Sequence, residues 1–349
     1  MTKEEFEQKL KDKKIWWCPL PWTHIFSSLS GRYAPCYDAL GKTGHNMKDT
    51  TIREWYTSDY QNKLRAEMLK EDYDGKFFDE HCTGCRKHEK LYGRSDRQKY
   101  VEQVLAGTFD NKVPQLLRAV FKFQKEGKID LDERILDIKM KMFGNACNLD
   151  CYMCHPRSAN TRTLSLNKVL KNTGKVFDPD LDPKDGERMN TMKHDEEEYL
   201  DDVASVAKYT KSIKLIGGEP LVMKNHYKLL DKLVKTGYAD GIGLIYKTNL
   251  SVFKMEGYDF RNYLGKFKEF IMKISIDSYG KYNDYIRKKS DWPQLINNMK
   301  VMKARKDCRV NVHLSLIHIS EPTRPERISY CVVWVKKKRR GGGGGGGGG

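Results

Sequence analysis

The chain has 349 residues, with 64 Lys or Arg against 47 Asp or Glu and a formal net charge of +17. No apolar run approaches the roughly 20 residues needed to cross a bilayer, so a helical membrane protein is excluded. The basic balance raises the local concentration of anionic partners such as RNA, DNA or acidic peptides without selecting among them.

MTKEEFEQKLKDKK at the N-terminus is a charged, helix-forming string with no signal-peptide character, which predicts a cytoplasmic protein. Next come Cys18 in CPLPW, a turn at Gly31, Cys36, and Cys82 with Cys85 in CTGC. Four thiols suit a metal site, either iron–sulfur or zinc with the CTGC pair as its knuckle. Trp16, Trp17 and Trp22 flank Cys18, and aromatics around a small metal site more readily form its dry wall than a base-stacking surface. Helix-spaced apolar residues over 94–128, broken near Gly107, predict a helical connector.

LDIKMKM at 136–142 alternates apolar and charged residues and predicts a strand whose C-terminal end delivers FGNACNLDCYMC. Cys147, Cys151 and Cys154 form a CxxxCxxC triplet. Three thiolates on a four-iron cluster leave one iron open to a small molecule, whereas structural zinc wants four closed ligands.

Residues 157–194 are polar and turn-rich and predict an insertion or a flap. Further strands are predicted at 212–216, 242–246, 270–276 and 309–313, with helices at 195–209 and 225–236. These strands end in Gly217–Gly218–Glu219, Thr248–Asn249 and Asp277–Ser278, which a parallel partial barrel would aim at one site. Taken alone, Gly217–Gly218–Glu219–Pro220 is a strand-to-helix turn with Pro220 at a helix start.

Leu314–Arg324, LSLIHISEPTR, reads as translated sequencing adapter, and a Lys/Arg run and nine glycines follow it. Segment 314–349 is therefore set aside as non-folding. It holds seven Lys/Arg and two Glu, so the remaining chain carries +12. Cys331 lies within it, and Cys308 is predicted to be a buried core thiol.

The triplet and the GGEP string together resemble the radical S-adenosylmethionine (SAM) superfamily. That resemblance implies a [4Fe–4S] cluster on Cys147, Cys151 and Cys154, with SAM on its open iron, cleaved to a 5′-deoxyadenosyl radical that abstracts hydrogen. It implies SAM contacts from Met153 (adenine), Gly217, Gly218 and Glu219 (ammonium), Thr248, Asn249 and Ser275 (ribose and its surroundings) and Arg287 (carboxylate). Cys18, Cys36, Cys82 and Cys85 resemble a twitch or SPASM appendage holding an auxiliary iron–sulfur cluster, displaced here to the N-terminal side of the core.

The expected organisation is α/β. It comprises a twitch-like domain at 1–93, a helical connector at 94–133, and a radical SAM partial (β/α) barrel at 134–313 that stops near its fifth strand. The resemblance implies a peptide or protein substrate and a reductant such as flavodoxin or ferredoxin. RNA or a small molecule stays open as substrate, as does a non-catalytic, zinc-dependent nucleic-acid-binding module.

Overall fold

The computed structural model describes residues 1–28, 31–37, 39, 43–140, 144–177 and 196–313. The predicted end of the first barrel strand (141–142), much of the predicted flap (178–194) and the set-aside segment 314–349 lie outside the described residues.

In chain order the helices are α1 (Lys3–Lys11), α2 (Leu20–Thr23), α3 (Ile52–Thr57), α4 (Asp59–Met68), α5 (Gly75–His81), α6 (Thr83–Tyr92), α7 (Asp96–Leu105), α8 (Val113–Glu126), α9 (Asn160–Leu170), α10 (Glu196–Ser205), α11 (Lys224–Lys235), α12 (Lys281–Ile286) and α13 (Trp292–Lys303). The strands are β1 (His24–Ser27), β2 (Tyr33–Ala34), β3 (Leu136–Met140), β4 (Asp150–Cys151), β5 (Thr210–Leu215), β6 (Gly243–Thr248), β7 (Lys254–Met255), β8 (Tyr258–Asp259), β9 (Glu269–Ser275), β10 (Arg287–Lys288) and β11 (Cys308–His313).

The central sheet runs β11-β9-β6-β5-β3-β1-β2. Its pairings are parallel except for β2, which lies antiparallel on β1. α9 and α10 between β3 and β5, α11 between β5 and β6, and α12 and α13 between β9 and β11 match the βαβ rhythm read from the sequence, whereas β6 and β9 are joined through the β7–β8 ribbon and a short 3-10 turn at Phe260–Tyr263. β1 is the addition. Residues 24–27 pair with 137–140, so the N-terminal segment extends the same sheet as the predicted core. The two also share one hydrophobic cluster, which runs from Phe6 to Cys308.

Register sorts the sheet into two faces, because side chains alternate along each strand. Ile138, Ile213, Leu244 and Phe270 lie in register and are buried. They share the core with Leu229, Leu230 and Leu233, whose i, i+1, i+4 spacing gives α11 its apolar stripe. The opposite, inner face carries Asp137, Lys139, Lys214, Lys247 and Lys273 instead. At the N-terminal end of the strands the fully buried Lys112 side chain pairs with Asp137, which also accepts a 2.7 Å hydrogen bond from Ser212. This ion pair sits just ahead of α8, which has a proline in its first turn and ends at Gly127 in the left-handed region, φ 70°.

Candidate functional site

The Cys147–Cys154 loop is held from three sides. Gly217 and Gly218 follow β5 with φ of 101° and 51°, in the left-handed region that favours glycine. A Cβ on Gly218 would stand 2.1 Å from the Ala146 carbonyl oxygen, and one on Gly217 would stand 3.2 Å from that of Gly144. The close approach is sealed by the Glu219 N–H, which donates to the Ala146 carbonyl at 2.8 Å. At the start of α9, Asn160 Oδ1 accepts from the Cys147 N–H at 3.1 Å while the Asn160 N–H donates to the Asn145 carbonyl. On the third side β4 pairs antiparallel with β10, setting Cys151 opposite Arg287.

Polar side chains close over the sulfurs. Arg287 Nη1 lies 3.8 Å from Cys151 Sγ and Nη2 lies 2.6 Å from Asp277, whose side chain is fully buried. Asn249 Nδ2 lies 4.0 Å from Cys147 Sγ and donates to Asn148 Oδ1 at 3.0 Å, while Asn148 donates to Ser251. Glu219 is buried and already engaged. It accepts from the Thr248 hydroxyl and the Asn249 N–H, each at 2.6 Å, and from the Leu221 N–H at 3.2 Å. Burial pushes its carboxyl up to about 7 against the pull of those donors and of Arg287.

The predicted residues therefore fall into groups. Gly217, Gly218, Glu219, Thr248, Asn249 and Arg287 come together around the triplet. Met153 is partly exposed in the loop, and Ser275 ends β9 opposite His313. Asn148 and Asn160 support the site without being singled out in the sequence, where the position of Asn148 inside CNLDC is its one signal, and Asp277 reads there as a strand-end residue facing the site without its pairing to Arg287.

Burial raises the Cys147 thiol to about 12, with Glu219 and the two other thiols adding to it. It raises Cys151 to about 11 against Arg287, and it raises Cys154 against Arg287 and Arg162. Three thiols in this setting stay protonated until a cationic centre draws off their protons. A soft three-sulfur donor set beside a glycine cradle and a guanidinium fits an iron–sulfur cluster with one open iron.

Cys18, Cys36, Cys82 and Cys85 line one cavity with Trp16, Tyr37, Met68, Arg97 and Tyr100. Burial raises the Cys18 and Cys82 thiols, and the neighbouring thiols raise them further. Four thiols facing one space are the full complement for an iron–sulfur cluster. Trp17 and Trp22 are fully buried, and Trp16 lies under Arg97 and donates to Glu89 at 3.0 Å. These rings form a wall and a core and leave no face open for stacking on bases. Among the described residues no group of three or more His, Cys, Asp or Glu is arranged to hold a metal ion.

No helix of the described residues is long and apolar enough to cross a membrane. The profile of the Radical SAM superfamily matches residues 142–322. That is more than half of the 349 residues, and the chain belongs to this superfamily. No curated protein matches the chain.

Similar solved structures include those of SuiB from Streptococcus suis. SuiB bound to S-adenosylmethionine is 15% identical, with 73% of this chain and 52% of that chain covered, at a TM-score of 0.35. SuiB without a named ligand is 14% identical, covering 81% and 54% at 0.37. SuiB bound to the precursor peptide SuiA is 16% identical, covering 64% and 42% at 0.35. The chain thus spans about half the length of these structures.

Proposed function

We propose that the protein is a radical SAM enzyme that abstracts hydrogen from a peptide or protein, with electrons supplied by a reductant such as flavodoxin or ferredoxin. The observation that carries this reading is the three-thiol loop pinned at the C-terminal end of a parallel sheet, with Arg287, Asn249 and Glu219 packed around it. Cys147, Cys151 and Cys154 would hold the [4Fe–4S] cluster, and Gly217 and Gly218, lacking side chains, let the cluster loop pack directly on the turn that would meet SAM. When bound, cluster and SAM supply one-electron cleavage to methionine and a 5′-deoxyadenosyl radical.

The chain's own contribution is to place and shield. Thr248, Asn249 and Leu221 saturate Glu219, so its carboxylate fixes the β6 turn against the glycine pair, and Asn249 and Arg287 present N–H groups to the sulfurs. Such donors tune the potential of a bound cluster. Cys18, Cys36, Cys82 and Cys85 would hold an auxiliary iron–sulfur cluster for electron transfer or substrate anchoring. Segment 1–93 then serves as a twitch-like unit built onto the core.

The test is anaerobic reconstitution with iron and sulfide, followed by dithionite and SAM. The parent protein should release 5′-deoxyadenosine, and Cys147→Ala should release none. Equal release from both would overturn the assignment. Replacing Cys82 and Cys85 with Ser should remove one cluster's worth of iron and leave the first cluster's spectrum in place. Unchanged iron content would overturn the auxiliary site, and colourless protein carrying zinc would favour the metal-dependent binding module.

A further inference from the structure

The inner face of the sheet carries a row of lysines, three of which, Lys214, Lys247 and Lys273, enter no ion pair among the described residues. Lys139 and Lys214 stand directly opposite on β3 and β5, and Lys247 and Lys273 stand directly opposite on β6 and β9. Lys214 and Lys247 share this face because Lys214 is in register with Ile245, two residues before Lys247. At one strand spacing per step the row spans about 14 Å across the C-terminal half of the strands.

Like charges opposed on neighbouring strands repel, so this arrangement costs stability unless an anion neutralises it. The acidic residues of the same face are already taken: Asp137 by Lys112, and Glu269 by Arg309. Lys214, Lys247 and Lys273 have no carboxylate partner among the described residues, and the Lys139 ammonium sits over the Tyr37 ring at 3.8 Å. The lysines act on one another. Burial and then Lys139, Lys273 and Lys247 bring Lys214 down to about 8. The field also reaches the triplet side, since His313 at the end of β11 is held down by burial and then by Lys247, Lys273, Arg287 and Lys214.

We infer that this lysine row is the binding surface for the substrate, and that the substrate is a peptide segment carrying several Asp or Glu side chains. An extended peptide places alternate side chains about 7 Å apart, so three acidic residues at alternate positions span the row. A nucleic acid would satisfy the charge, but single strands are held on open aromatic platforms, and the inner-face positions of β3, β5, β6, β9 and β11 carry no Phe, Tyr or Trp. Phe26 on β1 is buried, and it and Tyr37 lie against Lys139. The inference rests on the peptide-modifying reading above and names the class of peptide.

Binding is read independently of SAM cleavage, by anisotropy of a rhodamine-labelled decapeptide of alternating Glu and Gly, against the same peptide with Gln for Glu and against a ten-nucleotide thymidine strand. The parent should bind the Glu peptide at least tenfold more tightly than the Gln peptide, more weakly as salt rises. Lys214→Gln combined with Lys273→Gln should lose at least tenfold. Lys300→Gln with Lys303→Gln on exposed α13 positions should stay within twofold. Lys247→Gln, at an exposed position, should lose about threefold and serves if the double variant does not fold by circular dichroism.

Equal binding of Glu and Gln peptides, or unchanged affinity in the Lys214, Lys273 and Lys247 variants, would overturn the proposal. Tighter binding of the oligonucleotide that is lost with the same lysines would overturn the peptide class. Cys147→Ala should keep peptide affinity, so a failed radical SAM assignment and a failed lysine assignment give different results.

Discussion

Gly218 is the residue on which the site's geometry turns. Its φ of 51° and the 2.1 Å that would separate a Cβ from the Ala146 carbonyl leave no room for a side chain, and the obstacle is backbone. Gly218→Ala should push residues 144–147 away from the glycine pair and disturb the hydrogen bond that Glu219 makes there. We expect a loss of about 2 kcal/mol or more in stability, as for other overpacked and strained positions. Iron bound per chain after reconstitution should fall by at least half. Full iron loading and an unchanged denaturation midpoint would mean that the cradle is not required. GGEP was legible as a site only together with the cysteine triplet about sixty residues before it, since alone it reads as a strand-to-helix turn. The engagement of Glu219 was not legible, since Thr248 and Asn249 reach it only after β5 and β6 pair.

At the scale of elements, the two-residue ribbon of β4 and β10 is the clasp between the triplet loop and the region after β9. Arg287 is its working side chain, shared between Cys151 and the buried Asp277. Arg287→Met should take the guanidinium from that buried carboxylate and cost about 3 kcal/mol, the usual penalty for breaking a buried pair. Adding Asp277→Asn should restore most of the loss in urea denaturation while leaving 5′-deoxyadenosine production impaired. Recovery of both together would reduce Arg287 to a structural role. The long strands could be read in advance because LDIKMKM alternates apolar and charged residues and the later ones are short apolar runs that end in polar or glycine residues. Several shorter elements could not. β1 is four residues, mostly buried, with no alternation, and β4 and β10 have two residues each. α9 falls inside the expected flap because its apolar residues Leu164 and Val169 are exposed and form no core-facing stripe.

For the molecule as a whole, acid stability is a contest between buried groups of opposite sign. Burial lowers His24 to about 4 and His226 to about 3, so both take up protons in the unfolded chain first, and the stability they contribute is lost as pH falls below 6.5. Burial raises Glu219 to about 7 and Asp202 to about 6, so these bind protons first in the folded chain and add stability over an overlapping range. The parent's stability should therefore change little between pH 7 and 5. A substitution exposes one side of the contest. The excess stability of the parent over His226→Gln should shrink by about 1.4 kcal/mol per pH unit below 6.5, read from urea midpoints at pH 7.5, 6 and 5. A difference independent of pH would show that His226 titrates alike in both states. The basic surplus was visible in the composition, but the gathering of lysines onto one face depends on strand register and emerged only with the sheet.

The pairing of β1 with β3 joins segments that are far apart in the order of synthesis. His24–Ser27 must wait with an unsatisfied hydrogen-bonding edge while the intervening helices emerge from the ribosome, and an unsatisfied edge invites the wrong neighbour. Production of intact protein should therefore depend on whatever shelters that edge during translation, the segment's own tryptophan-rich packing or a chaperone.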